Sequence, residues 1–174
     1  NGAPAGTAGA SLDVADADPL IIRRTFLDDP AGPGSSSSAS VEFTIFNRSR
    51  SETATNIAFS SDLDAALTGL TAGGTTLSNV CGTGSTVTVG STVSLSGGTI
   101  APGGSCTFSV PLSIPASAAS GSYASQTSTI TGDLGGEPAT GTPANDTLFI
   151  DINTAPMFTK EFVDHPATSG GTVT

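Results

Sequence analysis

Tryptophan is absent from this 174-residue chain, and methionine, tyrosine and histidine occur once each. Charge is scarce too: 11% of residues are charged, against about a quarter in an average soluble protein. Five bases face fifteen acids, which leaves a net charge of -10. So few Lys and Arg argue against direct nucleic-acid binding, because affinity for phosphates comes from clustered bases. The same imbalance disfavours an anionic membrane surface. No apolar run approaches the ~20 residues of a membrane-spanning helix, so direct membrane insertion is not expected.

Cysteine is limited to Cys81 and Cys106, each beside an expected strand and a Gly-rich turn. An even count in a secreted-type composition favours a disulfide over two buried thiols. Two cysteines without a partner histidine make a poor zinc site. Lysine is confined to Lys160, which excludes a Lys–Asn isopeptide staple from the segment before it. Gln126 is the only glutamine, and nothing marks it as an activated ester partner.

What the chain has in quantity is Ser, Thr, Gly and β-branched residues, poor for helices and suited to strands. The apolar period is two. Val41, Phe43 and Ile45 alternate with Glu42, Thr44 and Phe46; Phe108, Val110, Leu112 and Ile114 alternate with Ser109, Pro111 and Ser113. Leu148, Ile150 and Ile152 alternate with Phe149 and Asp151. Each run turns one face to a core and the other to solvent. Phe46 and Phe149 thereby fall on outward faces, as candidate contacts with a neighbouring unit or chain. Further strands are expected at 20–26, 56–60, 75–80, 86–89, 92–95 and 123–131, with a helical turn only within 62–70. Pro111 requires its strand to lie at an edge or to turn that position outward. About seven to ten short strands separated by Gly and Pro turns read as an all-β, immunoglobulin-like antiparallel sandwich.

The chain also resembles itself. Residues 11–31 overlay 147–167 without gaps, at an offset of about 136 residues. Leu12 meets Leu148, Val14 meets Ile150, Arg24 meets Lys160, Phe26 meets Phe162, Asp28 meets Asp164 and Pro30 meets Pro166. The expected organisation is therefore the tail of a preceding repeat and a joint over 1–18, a complete repeat over 19–153, and the start of the next over 154–174.

Little here suggests catalysis. The sole histidine is His165, in the partial repeat, so no Ser-His-Asp triad fits inside the complete unit. Asp28-Asp29 and Asp62-x-Asp64 supply carboxylate pairs of the kind glycosidases use, but Asp-rich turns are usually solvated loops. The acids near the unit boundaries form a candidate calcium joint: Asp13, Asp16 and Asp18 before the first strand, Asp151 and Asn153 after the last. This run resembles the calcium-binding linker of cadherin repeats, with Ala15 and Ala17 where that linker has Asn. Ca²⁺ takes six to eight hard oxygen ligands, which such a joint would supply; the same residues also end strands without any metal. No other cofactor is implied. Sequons begin at Asn47 and Asn145, two possible glycosylation positions.

The stretch Phe26 to Asn47, then Ala54-Thr55-Asn56-Ile57-Ala58-Phe59, Ala101-Pro102-Gly103-Gly104-Ser105-Cys106 and Gly121-Ser122-Tyr123, resembles the "conserved repeat domain" family of bacterial surface proteins. That family has no known function. Leu67-Thr68-Gly69-Leu70 departs from its usual Pro-Gly-Leu. The resemblance implies an immunoglobulin-like unit with a spacer, stalk or matrix role and no catalytic site.

The reading that follows is a non-catalytic structural building block of an extracellular, cell-surface stalk, layer or filament. Its partners would be neighbouring copies of the same repeat or subunit. An alternative assembly has residues 11–26 complete a neighbouring subunit's sheet by donor-strand addition. The rival class is an adhesin or carbohydrate-binding module, for which nine aromatics without tryptophan offer a thin platform.

Overall fold

The computed structural model describes residues 18–34 and 36–152. Twelve strands follow one another: β1 (Leu20–Leu27), β2 (Ser36–Asn47), β3 (Ala54–Asp62), β4 (Thr71–Ala72), β5 (Leu77–Ser78) and β6 (Thr86–Thr88), then β7 (Thr92–Ile100), β8 (Ser105–Ser113), β9 (Gly121–Gln126), β10 (Ile130–Leu134), β11 (Glu137–Gly141) and β12 (Asn145–Ile150). One sheet runs β1-β2-β8-β4 and a second runs β11-β10-β3-β7-β6-β5, while β12 and β9 form a separate ladder. The strand ladders are antiparallel throughout, and the architecture is an all-β sandwich.

The period-two pattern explains the layering. Along β8, Cys106, Phe108, Val110 and Leu112 are buried while the residues between them face outward. Val41, Phe43 and Ile45 do the same on β2. Phe43 and Phe108 from one sheet meet Phe59 from the other, with ring centroids 5.1 and 6.3 Å away. Pro111 sits in an interior strand between β2 and β4 with its ring on the outer face; its carbonyl accepts the Gly73 N–H, and the β2 pairing is irregular beside it, between Ser36 and Ser40. Cys81 and Cys106 form a disulfide, Cα–Cα 5.4 Å, tying the turn after β5 in the second sheet to β8 in the first.

The region expected as one strand at 123–131 is split, because it belongs to a bent hairpin. Gln126 pairs with Asn145 and Ile130 with Gly141, one register continuing to the Gly135-Gly136 turn. Half of this hairpin lies against β3; the other half swings to the β1 edge. There the Phe26 N–H donates to Asp146 Oδ2 at 2.7 Å, and Ala31 bridges Ile150 in parallel. Gly141 is required at the crossing: a Cβ there would land on the Leu20 carbonyl oxygen. Of the strand expected at 75–80 only Leu77–Ser78 pairs. Within 62–70 two successive turns form: in the first the Leu67 N–H donates to Leu63 O and the Ala65 N–H to Asp62 Oδ1, both at 3.1 Å, and in the second the Leu70 N–H donates to Leu67 O at 2.9 Å.

The pairings define two ends. Leu20, Asn47, Ala54, Ile100 and Leu134 lie at one, the entry end; Leu27, Asp62, Thr92, Ser113 and Ile150 lie at the other, the exit end. The described chain begins at the first and finishes at the second.

Candidate assembly surfaces at the two ends

At the entry end, Asn47 organises the loop that leads into β3. Its amide nitrogen lies 2.8, 3.1 and 3.2 Å from the carbonyl oxygens of Glu52, Ile100 and Ala101, and its Oδ1 accepts the Ser49 N–H at 3.0 Å. The Ser49 carbonyl accepts from Gly103, and the Arg48 N–H donates to Pro19 O. A buried amide with four partners fixes a loop much as a helix cap fixes a helix end. The fixed loop carries Arg48 and Arg50 on the rim of a hollow of about 610 Å³, lined also by Pro19, Ser51, Glu52 and Leu134. This role overturns the glycosylation expectation at Asn47. The residue is 1% exposed and its nitrogen is already committed to carbonyls, whereas a glycan needs that nitrogen in water. Asn145 is exposed at the start of β12.

At the exit end, the Asp28-Asp29-Pro30 turn clasps the end of β12. Asp29 Oδ1 accepts the Phe149 N–H at 2.8 Å, Ala31 donates to Phe149 O, and Asp151 donates to Ala31 O. Burial pushes the Asp29 carboxyl up, the Phe149 hydrogen bond pulls it partly back, and nearby Asp146 adds to the rise. Phe149 itself points out, 50% exposed; Ile152, expected on the inward face of this run, lies past the end of β12 and is 64% exposed. Phe46 lies nearer the entry end and is only half-buried, with the Arg23 guanidinium 5.4 Å above its ring. The two aromatics expected as contacts are therefore not brought together.

Sequence reasoning passed over Arg24. It stands where Leu20, Ile22 and Phe26 on the same face of β1 are all buried, and that i, i+2 position was the available signal. Arg24 is 5% exposed, hydrogen-bonded to Ser125 Oγ, and stacked 4.5 Å from the Phe26 ring centroid and 5.8 Å from that of Phe43. Its Nε and Nη2 have no hydrogen-bond partner. Burial pushes its pKa down to about 10, against the opposing pull of Asp146.

Asp18 and Asp151 stand near opposite ends, Asp18 accepting the Thr142 N–H at 3.1 Å. Among the described residues no three His, Cys, Asp or Glu gather as metal ligands. Asp13, Asp16 and Asn153 lie outside the described residues, as do Lys160 and His165. Of the segment expected as a donor strand, residues 11–17 lie outside the described residues. Residues 20–26 pair in full register with β2 of the same chain, Leu20 with Asn47 through Phe26 with Val41. Among the described residues, no helix is long and apolar enough to cross a membrane.

Two crystal structures of BcpA, the major pilin subunit of Bacillus cereus, resemble this fold. They align at TM-scores of 0.53 and 0.52 with 11% and 10% identity over 75% of this chain. The alignments cover 40% and 39% of the pilin chains, so this chain spans well under half of the pilin's length. At that identity the likeness is one of fold. No curated protein matches the sequence. Residues 20–150 match the model of the family described as "Domain of unknown function (DUF7933)", and the chain belongs to that family.

Proposed function

We propose that this chain is a non-catalytic structural unit of an extracellular bacterial stalk, surface layer or filament. The observation that carries the reading is that the chain enters the sandwich at Leu20 and leaves it at Ile150, at opposite ends. Units joined in series through those ends add their lengths, and a pull on the array runs along the strands of each one. A likeness of fold to a major pilin subunit supports the same role. The disulfide between the sheets suits an oxidising compartment, and the Ser- and Thr-rich outward faces suit permanent exposure to water. Residues 20–26 filling their own sheet favour self-contained units linked end to end over strand exchange.

Recovery of the native polypeptide by cell fractionation and denaturing gel tests this. The expected result is a surface-associated product: a very long chain for a covalent tandem, a ladder for a non-covalent polymer. A short intracellular monomer with two alkylatable thiols would overturn the reading.

A further inference from the structure

Charge is divided unevenly between the two ends. Asp28, Asp29, Asp62, Asp64 and Asp151 lie at the exit end, which has no base among the described residues. The entry end carries Arg48 and Arg50, both exposed, and neither makes an ion pair among the described residues. Glu52 lines the same hollow, its carboxylate set against Gly135, and Asp18, Asp133 and Glu137 lie near the same end, so positive charge belongs to the arginine rim alone and not to the end as a whole. The apolar surface is divided as well. Phe149 and Ile152 protrude at the exit end, whereas the entry end offers Pro19 and Leu134 inside a hollow.

We infer that the exit end of one copy docks into the entry-end hollow of a second copy. Phe149 and Ile152 enter against Pro19 and Leu134, and Asp28 faces the Arg48 and Arg50 rim. Three features select this occupant. The knob and the hollow are on the same chain, the acids beside the knob complement the arginine rim of the hollow, and both are held in shape by backbone hydrogen bonds to Asp29 and Asn47. Pairing of two exit ends would set acids against acids, and pairing of two entry ends would bring two arginine rims together, whereas only the exit-to-entry contact sets acids on an arginine rim. A contact between two different patches at opposite ends does not close on itself, and repeated it makes a linear row. The inference rests on the building-block reading and specifies the joint: it is the same whether the second copy is a separate chain or the next unit of one chain.

The test uses the full chain and two surface variants. Arg48→Glu with Arg50→Glu blocks the entry end, and Phe149→Ser with Ile152→Ser blocks the exit end. Wild type is expected to self-associate in sedimentation velocity, less at high salt, where exposed charges are screened. Each variant should keep the wild-type melting temperature and associate at least about tenfold more weakly, as loss of a central anchor or of rim charge implies. Mixed together they should form a one-to-one dimer and nothing larger, because a single intact knob and a single intact hollow remain. Should either variant fail to fold, Asp28→Arg gives a second route: it weakens wild-type association and restores binding to the Arg48→Glu, Arg50→Glu copy. Wild type that forms rows while both variants behave like it overturns this joint and leaves the building-block reading standing. Wild type that stays monomeric overturns the joint, and a short intracellular native chain overturns both.

Discussion

Two parts of the interior are buried to the same depth on different terms. Between the sheets, Phe43, Phe59 and Phe108 pack ring against ring, and the one polar group recorded over them is the Arg24 guanidinium, 5.8 Å from the Phe43 centroid. Along the seam where β12 meets β1, polar Arg24, Ser125 and Thr127 are buried as well as apolar Phe26, Leu148 and Ile150, with Asp146 close by. Apolar burial contributes roughly in proportion to area, whereas a buried cation must first be stripped of water. Arg24 recovers part of that loss from Ser125, two aromatic faces and the field of Asp146, yet two of its nitrogens stay unpartnered. The aromatic layer therefore supplies stability, and the seam supplies position: it marks where the bent half of the hairpin must lie.

The largest blow to this contrast should come from the aromatic side. Phe43→Ala is expected to cost about 3–5 kcal/mol in denaturant unfolding, since it opens a cavity against the Phe59 and Phe108 rings. Removing the inter-sheet disulfide by Cys81→Ser with Cys106→Ser should cost about 3–4 kcal/mol for a loop of this length, read from the same unfolding curves. Asp146→Ala should cost about 1–3 kcal/mol, because the Phe26 N–H loses its acceptor and Arg24 loses its nearest negative charge. Arg24→Met sharpens the comparison most. It should leave stability within about 1 kcal/mol of wild type, or raise it, as replacing a buried ion by a well-packed apolar chain often does. A loss as large as that of Phe43→Ala would show that the seam stabilises the fold in the way the apolar layer does.

The smallest effect concerns pH. The Asp29 pKa is raised in the folded chain above its ordinary value of 3.8, so the folded state holds that proton more tightly. Its contribution to stability should therefore grow as pH falls from neutral through the raised value, and be complete below 3.8. Asp29→Asn keeps an acceptor for the Phe149 N–H and should remove that increment. The difference between the two unfolding profiles against pH isolates it, and parallel profiles would refute the assignment.

Legibility differed between these parts for a physical reason. Strands such as β2 and β8 each have one buried face, so alternation along the chain names their inward residues directly. The pairing of Cys81 with Cys106 was also readable, being the one pairing two cysteines allow. Arg24 was readable in principle, since its neighbours at i±2 are apolar, but charge argued for solvent and only packing decides between the two. Asn47 misled in the opposite direction: a sequon is a local pattern, and its burial depends on carbonyls five, 53 and 54 residues away.

By itself the sequence determined the all-β class, the inward faces of the main strands, the disulfide partners, and the poverty of bases that argues against nucleic acid as a ligand. These rest on composition and on a two-residue period, both local properties of the chain. Only the tertiary structure decided that the 121–150 hairpin bends between two sheets, that Arg24 is inside, and that Phe46 and Phe149 lie near opposite ends. It also gathered Arg48 and Arg50 with Pro19 and Leu134, residues far apart in the chain, around one hollow. Which residues share a surface is set by how the sheets cross, and no local pattern along the chain encodes that crossing.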